Sequence, residues 1–217
     1  MMMFYLFACA SETTFSGTFV GNPGKGNTQV AESEGIAFSR ASTSVQYVYY
    51  FRGDSEFVDA PDQNIDLLDP ASEFPIMAGN WDSIVLEMEP GISIEGRAND
   101  TQDFTWELSS LFIKLDFQEP GIAEGAYLFS LGQSNWLNAQ QIVELGEGSD
   151  TFAIEDSEEF NGALIDILET QSALYHDTNG DGTISEEERE QSIATGSDLE
   201  EDEDFDPLDF IDPFWQE

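Results

Sequence analysis

Apolar and polar residues alternate every second position through much of the first 154 residues. In the run 44–51, Val45, Tyr47 and Tyr49 fall on one face. Ile84, Leu86 and Met88 share a face of 81–88, and the run 91–96 follows a Glu89-Pro90 turn signal. Phe104, Trp106 and Leu108 alternate with Asp103, Thr105 and Glu107. Leu111, Ile113, Leu115 and Phe117 then face one way, with Phe112, Lys114 and Asp116 facing the other, and Tyr127, Phe129 and Leu131 make a further run. A period of two means one buried and one wet face, the antiparallel pattern. Short runs punctuated by Gly, Pro, Asn and Asp, with no helices between them, predict a mainly β domain over residues 13–154, an antiparallel β-sandwich.

After Ile154 the period lengthens. Phe160, Ala163, Leu164, Ile167, Leu168, Gln171, Leu174 and Tyr175 recur at helical spacing, which predicts a C-terminal helix over about 157–176. Asp156 with Glu159 three residues on reads as its capping box. A short exit helix is expected over about 186–194, so residues 155–197 read as helix, loop and helix.

Composition narrows the functions. The chain has 217 residues, with 45 Asp+Glu against 6 Lys+Arg and a formal net charge of −39. Six basic residues cannot build a phosphate-neutralising stripe, which excludes nucleic acid as a partner. They cannot build a basic membrane-docking patch either. Such acidity favours cation binding, high-salt solubility, or both. With one His, a His-dependent triad would have to use His176. The run 21–26, Gly-Asn-Pro-Gly-Lys-Gly, lacks the Gly-Lys-Ser/Thr order of a phosphate loop and reads as a plain turn. Tyr47, Tyr49, Tyr50, Trp81, Trp106 and Trp136 are the candidates for a glycan-stacking platform; aromatics at alternating strand positions are more often core.

The most specific signal is the run 177–188, Asp-Thr-Asn-Gly-Asp-Gly-Thr-Ile-Ser-Glu-Glu-Glu. Asp177, Asn179 and Asp181 present oxygens at alternate residues, as a backbone curling around an ion requires. Gly182 falls where a sharp bend calls for positive φ. Thr183 offers a backbone carbonyl, Ile184 an apolar anchor, Ser185 a direct or water-mediated oxygen, and Glu188 a bidentate carboxylate. The twelve residues match the calcium loop D-x-[DN]-x-[DN]-G-x5-E position by position, so this segment resembles the EF-hand family. The resemblance implies one Ca2+ held by Asp177, Asn179, Asp181, Thr183, Ser185 and Glu188. It covers little beyond the loop. Where the family's entering helix carries apolar residues, this chain has His176, Ala173, Ser172 and Glu169, and there is no second loop to pair with. That looks more like the single structural loops of dockerin-like secreted modules than a calmodulin-like sensor. The implied affinity is extracellular, on the order of 10⁻⁴–10⁻³ M.

Near the start, Leu6-Phe7-Ala8-Cys9 closes a short apolar run and precedes small polar residues. It resembles a bacterial lipobox, whose Cys is lipid-modified. Residues 1–12 are therefore expected to be a lipoprotein-signal-like segment and tether, with membrane anchoring through lipidated Cys9. Residues 198–217 hold 10 acids and no base, with Phe205, Phe210, Phe214 and Trp215 interleaved, and are expected to be a disordered acidic tail. The combined expectation is an extracytoplasmic calcium-binding surface or binding protein, secreted or lipid-anchored, and not an enzyme. The alternatives are a polysaccharide-acting enzyme using paired carboxylates and a single EF-hand calcium sensor.

Overall fold

The computed structural model describes residues 14–19, 35–68, 73–123, 125–132, 136–147, 149–182 and 184–197. The expectations for Cys9 and for the acidic tail fall outside these residues. Among the described residues, thirteen strands form one mixed sheet: β1 Thr14–Phe19, β2 Ile36–Arg52, β3 Ser55–Asp59, β4 Gln63–Asp66, β5 Glu73–Met77, β6 Ser83–Met88, β7 Ile92–Ala98, β8 Gln102–Leu108, β9 Leu111–Phe117, β10 Tyr127–Ser130, β11 Thr151–Ala153, β12 Ala173–His176 and β13 Ser192–Ser197. Three α-helices accompany them among the described residues, α1 Ala139–Leu145, α2 Glu158–Gln171 and α3 Glu186–Arg189, with a 3-10 turn at Ile154–Asp156. Among the described residues, no helix is long and apolar enough to cross a membrane.

The main path runs β11-β8-β7-β2-β6-β9-β13-β12-β10-β1-β5, with β3 and β4 pairing β2. Two expectations change here. The sheet is mixed rather than antiparallel, because β1 pairs β10 and β11 pairs β8 in parallel. These pairings join distant stretches of chain and leave no trace in local alternation. The second change concerns β2. Its first half pairs β7 (Ile36 with Ala98) and its second half pairs β6 (Phe51 with Ser83). At the changeover β4 takes the other side, pairing Ser42 with Asp66 and Val45 with Gln63. With two strands end to end along one edge, the sheet forks at β2. A register shift between Val45 and Tyr47 moves the phase of the alternation. Val45, Val48 and Tyr50 are therefore buried, while Tyr47 is 39% exposed.

The other faces read from alternation are buried as expected. Ile84, Leu86, Met88, Phe104, Trp106, Leu111, Ile113 and Leu115 lie in a single apolar cluster. Helix α2 docks on it through Phe160, Leu164 and Leu168. The Trp106 indole N–H donates to Asn161 Oδ1 of this helix at 2.7 Å, so a fully buried donor is satisfied by the element that covers it.

The C-terminal region departs most from expectation. The helix predicted over 157–176 stops at Gln171, and Leu174 and Tyr175 belong to β12. Ser157, not Asp156, is the N-cap of α2, and it makes no side-chain cap bond. The exit helix ends at Arg189, and Ile193 lies in β13. Residues 173–197 thus form a hairpin that continues the sheet between β9 and β10. Gly196 explains the close seat of α2 on this hairpin. Its amide donates to Ser172 O at 2.7 Å, and a Cβ there would strike the Glu169 carbonyl oxygen and the Thr170 carbonyl carbon.

Candidate metal centre

The twelve-residue loop is the turn of the β12–β13 hairpin. Its approach is fixed by β10, whose Tyr127 pairs with His176 in antiparallel register. Their rings pack with centroids 5.1 Å apart. The ladder runs one step further, with the Asp177 N–H donating to Ala126 O at 2.9 Å. The first candidate ligand is therefore held to the sheet by its own backbone.

Beyond Asp177 the chain curls round its own side chains. The Asp177 carboxylate accepts from the Gly180 N–H at 2.6 Å and from the Gly182 N–H at 3.0 Å. Asn179 Oδ1 accepts from the Asp181 N–H at 2.8 Å. Gly182 has φ +71°, the left-handed conformation expected of it, and Gly180 has the same value. Nothing stands within 4 Å of a Cβ at either position, so the demand for glycine is conformational and not one of space. Ile184 is buried and packs with Leu128 and Tyr175, a small apolar cluster of its own. Asn179 and Asp181 are exposed; Thr183 lies outside the described residues.

Glu188 closes the loop. Its Oε1 accepts from the Thr178 N–H at 2.8 Å and the Thr178 hydroxyl at 2.9 Å. Its Oε2 accepts from the Ser185 N–H at 2.9 Å, and its own N–H donates to Ser185 Oγ at 3.2 Å. The last two bonds make a capping box at the start of α3. The carboxylate thus ties the second loop residue to the ninth. Glu188 is 5% exposed, and glutamate is almost never so buried unless paired or richly hydrogen-bonded. Burial alone would raise its pKa. The hydrogen bonds from Ser185 and Thr178 outweigh that and hold it down to about 2.

Asp177, Asn179, Ser185 and Glu188 are therefore brought into one turn, with Asp177 and Glu188 carrying most of its internal bonds. They do not form a closed cage. Among the described residues, no three His, Cys, Asp or Glu side chains converge as a metal-holding group. In chemistry the donor set fits a hard cation. Every candidate is an oxygen, and three of the described ones, Asp177, Asp181 and Glu188, are carboxylates and one, Asn179, an amide. Sequence reasoning missed Thr178, which holds Glu188 through both its amide and its hydroxyl. A threonine at that place has no spacing signature.

The other candidates resolve into core. Tyr50 and Trp106 are fully buried, and Tyr49, Trp81 and Trp136 are nearly so, which leaves only Tyr47 open and removes the glycan platform. The Tyr49 hydroxyl donates to Glu87 Oε2 at 2.5 Å. Two further carboxyls have shifted affinities. Glu56 on β3 is raised by burial, and Asp103 on β8 is lowered by the hydrogen bonds from Arg97. They lie on strands that are not neighbours, so they do not make an acid–base pair.

Comparison of the chain with protein-family models, curated proteins and solved structures returns no match.

Proposed function

We propose that this chain is an extracytoplasmic calcium-binding surface or binding protein, whose β body, a sandwich, is fastened by one structural Ca2+ in the β12–β13 turn. Asp177, Asn179, Asp181, Thr183, Ser185 and Glu188 supply the oxygens, and Cys9 supplies a lipid anchor. The reading rests above all on Glu188, a buried and fully hydrogen-bonded carboxylate at the last position of a twelve-residue acidic turn. An ion at this place would share the negative charge that the amides and hydroxyls of the turn also balance. Because the turn joins two inner strands of the sheet, closing it stabilises the sheet and not merely a surface loop. The ion acts by mass action, at about 2.7 kcal/mol when its concentration is a hundred times Kd.

Thermal melts in calcium and in EDTA test this. Calcium is expected to raise the melting temperature by about 5–10 °C at that excess, given roughly 2–4 °C per kcal/mol for a chain of this size. The gain is expected to vanish in the double variant Asp177→Ala, Glu188→Gln. Magnesium at equal concentration is the control for general screening of the −39 charge, since its stricter octahedral demand suits this loop poorly. Equal gains from both ions, or a gain that survives in the double variant, would overturn the assignment.

A further inference from the structure

The β12–β13 hairpin carries a second feature, a cleft of about 350 Å³ lined by residues of β10, α2, β12, β13, α3 and the loops beside them. Its size sits at the lower end of the range for small-ligand sites, about 300–1,000 Å³. Its lining is unusual for this chain. With 45 acidic residues among 217, the described lining contains no Asp or Glu and one Arg, Arg189. The cleft of similar size near His176 is lined by Glu187 and Glu188.

Arg189 is exposed and makes no ion pair among the described residues. Arg40, Arg97 and Lys114 each have a carboxylate partner; Arg52, also exposed, has none among the described residues but is not part of this lining. A cation with no carboxylate partner among the described residues, beside a cleft whose described lining holds no acid, can take an outside anion. The floor is already satisfied: the Ser130 hydroxyl donates to Gly132 O at 2.9 Å, and the Gly132 N–H donates to Ser172 Oγ at 3.1 Å. Gln171 and Thr195, exposed at the mouth, and Ser192, half-buried, add an amide and two hydroxyls to the lining. Tyr175, half-buried, adds an aromatic wall close enough for its phenol to feel the charge of Arg189.

We infer that this cleft binds a small polyhydroxylated monocarboxylate of the sugar-acid class, with Arg189 holding the carboxylate and the mouth hydroxyls and amide holding the ring hydroxyls. A guanidinium forks onto a planar carboxylate through two parallel hydrogen bonds. One Arg neutralises one charge, so a phosphate dianion would bring an uncompensated charge into a strongly negative surface. The long-range field opposes any anion, which makes the pairing one of short range and modest affinity.

The test is an NMR titration of the full chain with sodium glucuronate, with methyl glucoside as the neutral counterpart. Both are run in calcium and in EDTA, so the result does not depend on the calcium site being real. Saturable glucuronate binding in either condition is expected, with shifts centred on Tyr175 and Thr195 and an affinity at least about tenfold above that for methyl glucoside. Arg189→Gln is expected to lose about tenfold or more, and Arg189→Lys to recover part of it. If Arg189→Gln lowers the melting temperature, Thr195→Val gives the reading in its place, with a loss of a few-fold. Equal affinity for the two sugars, glucuronate binding unchanged in Arg189→Gln, or no saturation by glucuronate would each overturn the inference.

Discussion

The β2–β9 half of the sheet and the β12–β13 hairpin share one hydrogen-bonded surface but are held by different forces. In the first, β6 pairs β9 over six residues, and β7 pairs β8 over seven. The side chains behind them, Tyr50, Ile84, Leu86, Met88, Trp106 and Ile113, are sealed from water. In the hairpin the ladder is short and interrupted by a bulge after Leu174, and its turn has only Ile184, Leu128 and Tyr175 for a core. What holds that turn is a set of charged and polar contacts around Asp177 and Glu188. Apolar burial stabilises the first region whatever the ionic conditions. The second is responsive to its solution, because its contacts are ones that a cation or a proton can replace.

The sharpest way to break this comparison is to damage each half in turn with calcium present and absent. Trp106→Ala removes a fully buried indole and strands Asn161, and is expected to cost about 3–5 kcal/mol. That loss should be the same in calcium and in EDTA, measured as denaturation midpoints. Glu188→Gln alone should do the opposite: a smaller loss in EDTA, with most of the calcium-induced gain in melting temperature removed. A calcium-dependent loss in Trp106→Ala would mean that the two halves are one energetic unit.

Acid sharpens the same contrast. The Glu188 carboxyl is held to about 2 in the folded chain, below its unfolded value, because the hydrogen bonds of Ser185 and Thr178 outweigh its burial. A depressed carboxyl contributes stability that is fully present above the unfolded pKa, near 4.3, and is lost as pH falls towards the folded one. In EDTA, urea midpoints should therefore fall between about pH 5 and pH 2, and fall less in Glu188→Gln. Next in size, Gly182→Ala imposes a Cβ at φ +71° in open space, at a cost of about 1–2 kcal/mol. The smallest effect belongs to Tyr47→Ala on the exposed side of the β2 bulge, within about 0.5 kcal/mol by the same urea measurement.

How far the sequence could be read follows the same divide. Strands β6, β8 and β9 were legible because each sets an alternating face against the core, although Ser83 and Val85, off the marked face of β6, are buried as well, and Leu108 and Phe117 are only half-buried. The hairpin was not. Leu174 and Tyr175 stand at helical spacing from Ile167 and Leu168, so the stripe of α2 runs on visually past the point where the backbone leaves it at Ser172. Strand β13 offers only Ile193 and Ala194 as apolar residues and so shows no period of its own. The β2 bulge was hidden for a related reason: one extra residue shifts the face without changing the composition. At the candidate metal centre the ligand types and the glycine at 182 were plain from spacing. The role of Thr178, and the cleft beside Arg189 whose described lining holds no acid, arise only when the hairpin folds back on α2 and β10.

The place of that hairpin has a consequence for how the protein is made. Strands β9 and β10 are consecutive among the described strands, yet they do not pair; β13 and β12 lie between them in the sheet. During synthesis the earlier strands emerge first, and domains begin to organise from the N-terminal side. Until residues 173–197 leave the ribosome, β9 and β10 each keep one side without its final partner, an exposed edge of the kind that invites pairing with other chains. The segment that closes the gap is the last of the described strands to arrive, and it brings with it the acidic turn.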